Sequence, residues 1–289
     1  MKIPVSARGL FYLAGILGML VAAFTIEQPG WEELPSVPTL ILAGALTTAS
    51  LGAAGFQWAT LLDVQGSQRL AAFRSVFVSQ LSKYLPAGGL FQVASQVSLS
   101  ESGTAASRFQ YFVTGIVQLC AACPLIGLLL FGPSSSAVPR TVALLATPLI
   151  LLAHPRAIAM VLSISERVMK SSTTSPAQLP GARLARAQLM AVLNIALLSI
   201  GFAVISVAID QSASFLTATG AFALAWLAGF VVVPLPAGLG VREAALVGLL
   251  PELSPATVVL TGVILRLVGL ASEVALAGGS AALTVRKRQ

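Results

Sequence analysis

Apolar residues fill long windows of this chain, and the charged residues gather between those windows instead of recurring every third or fourth position. A surface helix of a soluble protein shows a polar stripe of period 3.6. Windows that are apolar all round fit helices immersed in lipid, where about 20 residues cross roughly 30 Å of hydrocarbon. The pattern predicts spans at Leu10 to Ile26, Val37 to Leu62, Ala105 to Phe131, Val138 to Ala153, Ala187 to Ile209 and Ala256 to Val285. The first follows Lys2 and Arg8 as the apolar part of a signal peptide would. No small-residue cleavage site leads from it into a soluble domain, so it reads as a span.

Two further windows, about 69–99 and about 214–250, are long enough for two helices each, and both break near the middle. The first break is Leu85-Pro86-Ala87-Gly88-Gly89-Leu90, and the second, 150 positions on (236 minus 86), is Leu235-Pro236-Ala237-Gly238-Leu239-Gly240. Proline removes a backbone donor and glycine weakens a helix, so both windows predict a helix, a turn and a second helix. Broken helices at matching places in two halves point to a transporter-type binding site near the bilayer midplane.

Charge asymmetry favours windows that turn back over windows that cross. If both are re-entrant, Lys2, Arg8, Arg69, Arg156, Arg167, Lys170, Arg183, Arg186, Arg286, Lys287 and Arg288 share the cytoplasmic side, and Arg140 alone lies opposite. The expected fold is therefore an all-α integral membrane protein with about six transmembrane helices plus two re-entrant helical hairpins in an inverted repeat. It forms one domain over residues 1–289. The first repeat covers 1–135 with its hairpin at about 69–99, and the second covers 136–289 with its hairpin at about 214–250. Both termini are expected on the cytoplasmic face of an inner or plasma membrane.

Composition agrees and narrows the function. The chain is 56% hydrophobic and 9% charged, with mean hydropathy +0.91, far from an ordinary soluble domain. Its longest polar stretch, about His154 to Arg186, is too short for a core of its own. The net charge of +7 is spread along membrane flanks without an aromatic-basic module, so nucleic acid is not an expected partner. No Walker loop, metal-ligand cluster or nucleophile elbow is present, so neither enzymatic chemistry nor a cofactor is expected. Cys120 and Cys123 read as packing residues, and lone His154 as an interfacial one.

Charges at membrane depth are costly unless paired or hydrated. Away from the flanks stand Arg74, Lys83, Arg108, Arg242 and Arg266, against only Glu243 and Glu273. This positive excess suits an anionic ligand such as a phosphate. Lys83, Tyr84, Gly88, Gly89 and Gln92 surround the first break; Gly238, Gly240, Arg242 and Glu243 surround the second. Gln92 and Arg242 each lie six residues past their proline. A helix restarting after such a turn offers free N–H groups and a positive dipole end to an anion. On the last span Gly262, Arg266, Gly269 and Glu273 share one helical stripe. The expected partners are Glu243 for Arg266 and Arg242 for Glu273. A second stripe, Arg108, Tyr111, Gly115 and Gln118, is expected to answer the first break, with snorkelling of Arg108 to lipid headgroups as the alternative.

The runs Ser79-Gln80-Leu81-Ser82-Lys83-Tyr84-Leu85-Pro86-Ala87-Gly88-Gly89 and Pro234-Leu235-Pro236-Ala237-Gly238-Leu239-Gly240-Val241-Arg242-Glu243 resemble the paired signatures of one family. It is the flippase-like transmembrane domain of lysylphosphatidylglycerol synthases and their stand-alone relatives. The resemblance implies a lipid translocase that moves an anionic phospholipid, an aminoacylated phospholipid or a polyprenyl-linked precursor between leaflets. The alternative is a lipid-binding accessory subunit of a membrane glycosyltransferase or lipid synthase. Implied partners are membrane lipids with anionic phosphate headgroups, with room for a homo-oligomer or a separate synthase. Two departures stand out. Bifunctional members carry a soluble aminoacyl transferase after the membrane part, which this sequence lacks, so lipid synthesis is not expected. Family members often place an acidic residue early in the span after the first motif, where Phe109, Gln110 and Tyr111 stand here.

Overall fold

The apolar windows become helices, and local chemistry sets where they stop. The computed structural model describes residues 34–84, 88–131, 137–169, 179–231 and 240–286, all helix and connection with no strand among them. The span expected at Leu10 to Ile26 and the turn residue Gly238 lie outside the described residues.

Helix α1 (Val37–Leu62) has the expected bounds. It ends at Asp63 in a left-handed conformation (φ 59°), where the N–H groups of Asp63 and Val64 close on the Thr60 and Ala59 carbonyls. Helices α2 (Gly66–Ser82) and α3 (Gly88–Leu99) occupy the first broken window. Helix α4 (Ala105–Leu130) follows, capped by Thr104, whose hydroxyl accepts the Ser107 N–H at 3.2 Å.

The stretch expected as one span at Val138 to Ala153 is composite. Helix α5 (Ala137–Ala146) tightens into a 3-10 segment, Thr147–Ala153. Pro148, without an N–H, sits at the junction. The chain then bends by 82° into α6 (Pro155–Met169), inside what the sequence presents as a polar loop. Its stripe is short: Ile158 and Leu162, four apart, are buried against Val113, Val117 and Leu184. Met160 and Ile164 remain exposed.

Helix α7 (Gly181–Ile209) starts six residues before its apolar window. Helices α8 (Phe215–Val231) and α9 (Val241–Leu249) occupy the second broken window. Helix α10 (Pro255–Arg286) closes the described chain, with the Ser254 hydroxyl accepting the Thr257 N–H at 3.1 Å. Among the described residues four helices, α1, α4, α7 and α10, are long and apolar enough to cross a membrane, and the bent pair around Pro155 adds a fifth if counted as one span.

Exposure is inverted relative to a soluble protein. Val37, Ile41, Leu129, Leu145, Leu151, Leu189 and Leu267 are all more than 60% exposed, while Ser75, Thr114, Gln118, Ser199 and Thr261 are wholly buried. Apolar side chains outward and polar ones inward suit a membrane-embedded protein. Helices α1 and α7 pack along each other at the centre, where Ser50 donates to Asn194 Oδ1 at 2.6 Å. Helix α2 packs on α1 and α10, and α8 packs on α7 and α4.

A chain of buried amides ties the centre to α4. Gln57 Nε2 donates to the Gly115 carbonyl and to Gln118 Oε1, both at 3.2 Å. Gln118 Nε2 donates to the Leu184 carbonyl at 2.9 Å.

Candidate functional site

The ends of the two broken segments and the α10 stripe meet in one charged cluster. At the first break α2 runs out at Ser82, and Lys83 stays in helical geometry with its N–H on the Gln80 carbonyl at 3.3 Å. Its ammonium donates to Glu273 Oε1 on α10 and to Gln80 Oε1, and lies 5.1 Å from the centre of the Tyr84 ring. Glu273 is nearly enclosed, with its side chain 5% exposed. Its second oxygen, Oε2, has no hydrogen-bond partner among the described residues. Tyr84, 45% exposed, lies within electrostatic reach of the same carboxylate.

At the second break Gly240 has φ 83°, a conformation that an L side chain adopts only with strain. That backbone turns its N–H onto Glu243 Oε2 at 2.8 Å as α9 restarts. The other oxygen of Glu243 accepts from Arg266 on α10 at 2.6 Å, so both oxygens are engaged. The expected Arg266–Glu243 pair is present. The α10 stripe faces inward as expected: a Cβ on Gly262 would lie 3.7 Å from Glu243 Oε1, and one on Gly269 would lie 3.8 Å from Thr47 on α1.

Arg242 differs from the expectation. It does not pair with Glu273, whose Oε1 accepts from Lys83 instead. Its guanidinium carbon lies 5.6 Å from the centre of the Phe222 ring on α8. Its Nε is buried without a hydrogen-bond partner. It makes no ion pair among the described residues, although it feels the charges of Arg266 and Glu243. The cluster thus holds three cations, Lys83, Arg242 and Arg266, against two carboxylates, and the unmatched cation is Arg242.

Other candidates lie elsewhere. Arg108 donates to the Ser100 carbonyl at the end of α3, with its Nε buried and unpartnered. It lies fifteen residues, about 22 Å of helix, from Cys123, the α4 residue near Arg242, and is therefore remote from Arg242. Gln118 and the Gly115 carbonyl of the same stripe serve the central amide chain instead of the first break. Gln92 is half-buried on α3 and is not bonded to the cluster. Gly88 and Gly89 begin α3. Cys123 is buried and its thiol donates to the Leu119 carbonyl at 3.3 Å. No group of three potential metal ligands occurs among the described residues.

Sequence reasoning missed the Lys83–Glu273 partnership and the Phe222 ring under Arg242. Lys83 and Glu273 are 190 positions apart, and only their complementary charges at membrane depth hinted at it. Neither a protein-family model nor a curated protein matches the chain.

Proposed function

We propose that this protein is a flippase-like lipid translocase, which takes the phosphate headgroup of an anionic lipid between its two helix breaks and leaves the acyl chains in the bilayer. One observation carries the reading: both breaks contribute charged side chains to a single enclosed cluster, in which Arg242 is a cation without a carboxylate of its own. Uncompensated charge at membrane depth is expensive, and an arriving phosphate offsets that cost.

In the proposed arrangement six spans and two re-entrant hairpins form an inverted repeat, with both termini on the cytoplasmic side of the cell membrane. Several features support it. Helices α4 and α10 begin 150 positions apart (255 minus 105), as α3 and α9 end (249 minus 99). The packing interlocks reciprocally, α2 on α10 and α8 on α4. Helices α2 and α8 have 17 residues each, about 25 Å, shorter than the hydrocarbon core. The resemblance of the two break motifs to the lysylphosphatidylglycerol synthase/flippase family points the same way.

The test is lipid movement in liposomes carrying a fluorescent anionic lipid on the inner leaflet, with dithionite counting the molecules that reach the outer one. Arg242→Ala removes a charge-assisted contact worth roughly 1.5–3 kcal/mol and should slow movement about tenfold or more. Wild-type protein that binds anionic lipid without moving it would establish the accessory-subunit reading instead.

A further inference from the structure

We infer that the Lys83–Glu273 ion pair is a proton-coupling element: Glu273 takes a proton as Lys83 transfers from the carboxylate to a phosphate oxygen of the headgroup. This rests on the reading of the cluster as a phosphate site.

The two carboxylates of the cluster are differently occupied. Glu243 has both oxygens engaged, by Arg266 and by the Gly240 N–H, so a proton there would break an existing contact. Glu273 gives one oxygen to Lys83 and keeps Oε2 buried and unpartnered. A proton can settle on Oε2 without displacing the Lys83 contact, beside the Tyr84 side chain that lies near the same carboxylate. Once neutral, Glu273 no longer competes with a phosphate for the ammonium of Lys83, whose side chain is 24% exposed.

The charged and titratable groups around Glu273 are few. Helix α2 and its end present Arg69, Arg74, Lys83 and Tyr84; α9 presents Arg242 and Glu243; α10 itself carries Arg266 and Arg286. Helix α1 carries none, and α7 has only Arg183 and Arg186 within its first two turns. No carboxylate on these helices other than Glu243 can neutralise Lys83 when Glu273 is protonated. Proton and headgroup therefore bind cooperatively, and the coupling is reciprocal.

The balance closes without bond chemistry on the lipid. Water on one side supplies the proton to Glu273. Lys83 keeps its own proton and exchanges a carboxylate for a phosphate oxygen. On release at the other side Glu273 returns its proton to water and Lys83 re-pairs with it. The pair joins the first broken segment to the last helix, so each exchange also loosens or restores a contact between the two halves of the chain.

The experiment measures binding of dihexanoyl phosphatidylglycerol to the purified full chain over a pH series, with proton uptake read from calorimetry in two buffers of different ionisation enthalpy. Wild-type affinity should rise up to about tenfold per pH unit of acidification over the titrating window, with close to one proton taken up per lipid. Glu273→Gln should bind with pH-independent affinity and no uptake, while Glu273→Asp, which keeps a carboxylate, should restore the pH dependence and control for misfolding. Binding with no proton uptake in the wild type, or undiminished uptake in Glu273→Gln, overturns the coupling and leaves the phosphate site standing. No binding at any pH overturns both.

Discussion

Removing Arg266 is the most direct way to weigh the cluster as a structural unit. The pair with Glu243 spans 2.6 Å, and the two side chains are 20% and 10% exposed. Breaking a buried pair commonly costs about 3–5 kcal/mol because a charge is left behind. Glu243 would keep its bond from the Gly240 N–H, and residual hydration softens the penalty, which places Arg266→Ala at about 2–3 kcal/mol. Glu243→Gln should cost a similar amount, since the arginine is then left facing a neutral amide. The double variant removes both charges, so it should fall short of the sum by about 1–2 kcal/mol. Sodium dodecyl sulfate titration of purified protein in mixed micelles, followed by tryptophan fluorescence, gives the four free energies. Single costs that add to within about 0.5 kcal/mol in the double variant would refute the pairing and the packing of α9 on α10 that brings it about.

Three other expectations follow from the geometry. Gly240→Ala meets nothing within 4 Å of its new Cβ, so its cost of about 1–3 kcal/mol is purely backbone strain at φ 83°, and it should appear as reduced resistance to the same titration. Gly55→Ala places a Cβ 2.6 Å from the Phe73 ring; it should destabilise by about 1–3 kcal/mol, and adding Phe73→Leu should recover part of that, as read by melting of the detergent-solubilised protein. With Cys120 and Cys123 replaced by alanine, Ser212→Cys should react with an impermeant thiol reagent in intact cells, whereas Glu101→Cys should react only after permeabilisation; labelling of Glu101→Cys from outside would rule out the re-entrant first hairpin.

Much of the helical framework was legible in the sequence because immersion in lipid is a local requirement. Each spanning helix must satisfy its own backbone and present apolar side chains, so hydropathy alone located α1 to the residue and α4, α7 and α10 to within a few positions at most of their ends. The two helix breaks were legible for a similar reason, since proline and glycine disrupt helical hydrogen bonding wherever they occur. Even the Arg266–Glu243 pair could be anticipated, because the two lie on consecutive helices only 23 positions apart.

Tertiary structure decided what pairwise packing alone can decide. Helix α6 escaped the sequence reading because its buried stripe is two side chains long within a polar stretch. The stripe on α4 had the periodicity of a site, yet Gln118 was claimed by Gln57 and Leu184 once α1 and α7 packed beside it. Most consequentially, α2 packs on α10, which delivers Lys83 to Glu273 across 190 positions and leaves Arg242 to face Phe222 without a carboxylate of its own. Sequence determined which charges enter the membrane. The packing of helices distant along the chain determined which charges neutralise one another and which is left without a carboxylate, because an ion pair acts over a few ångströms and the order of residues does not specify those distances.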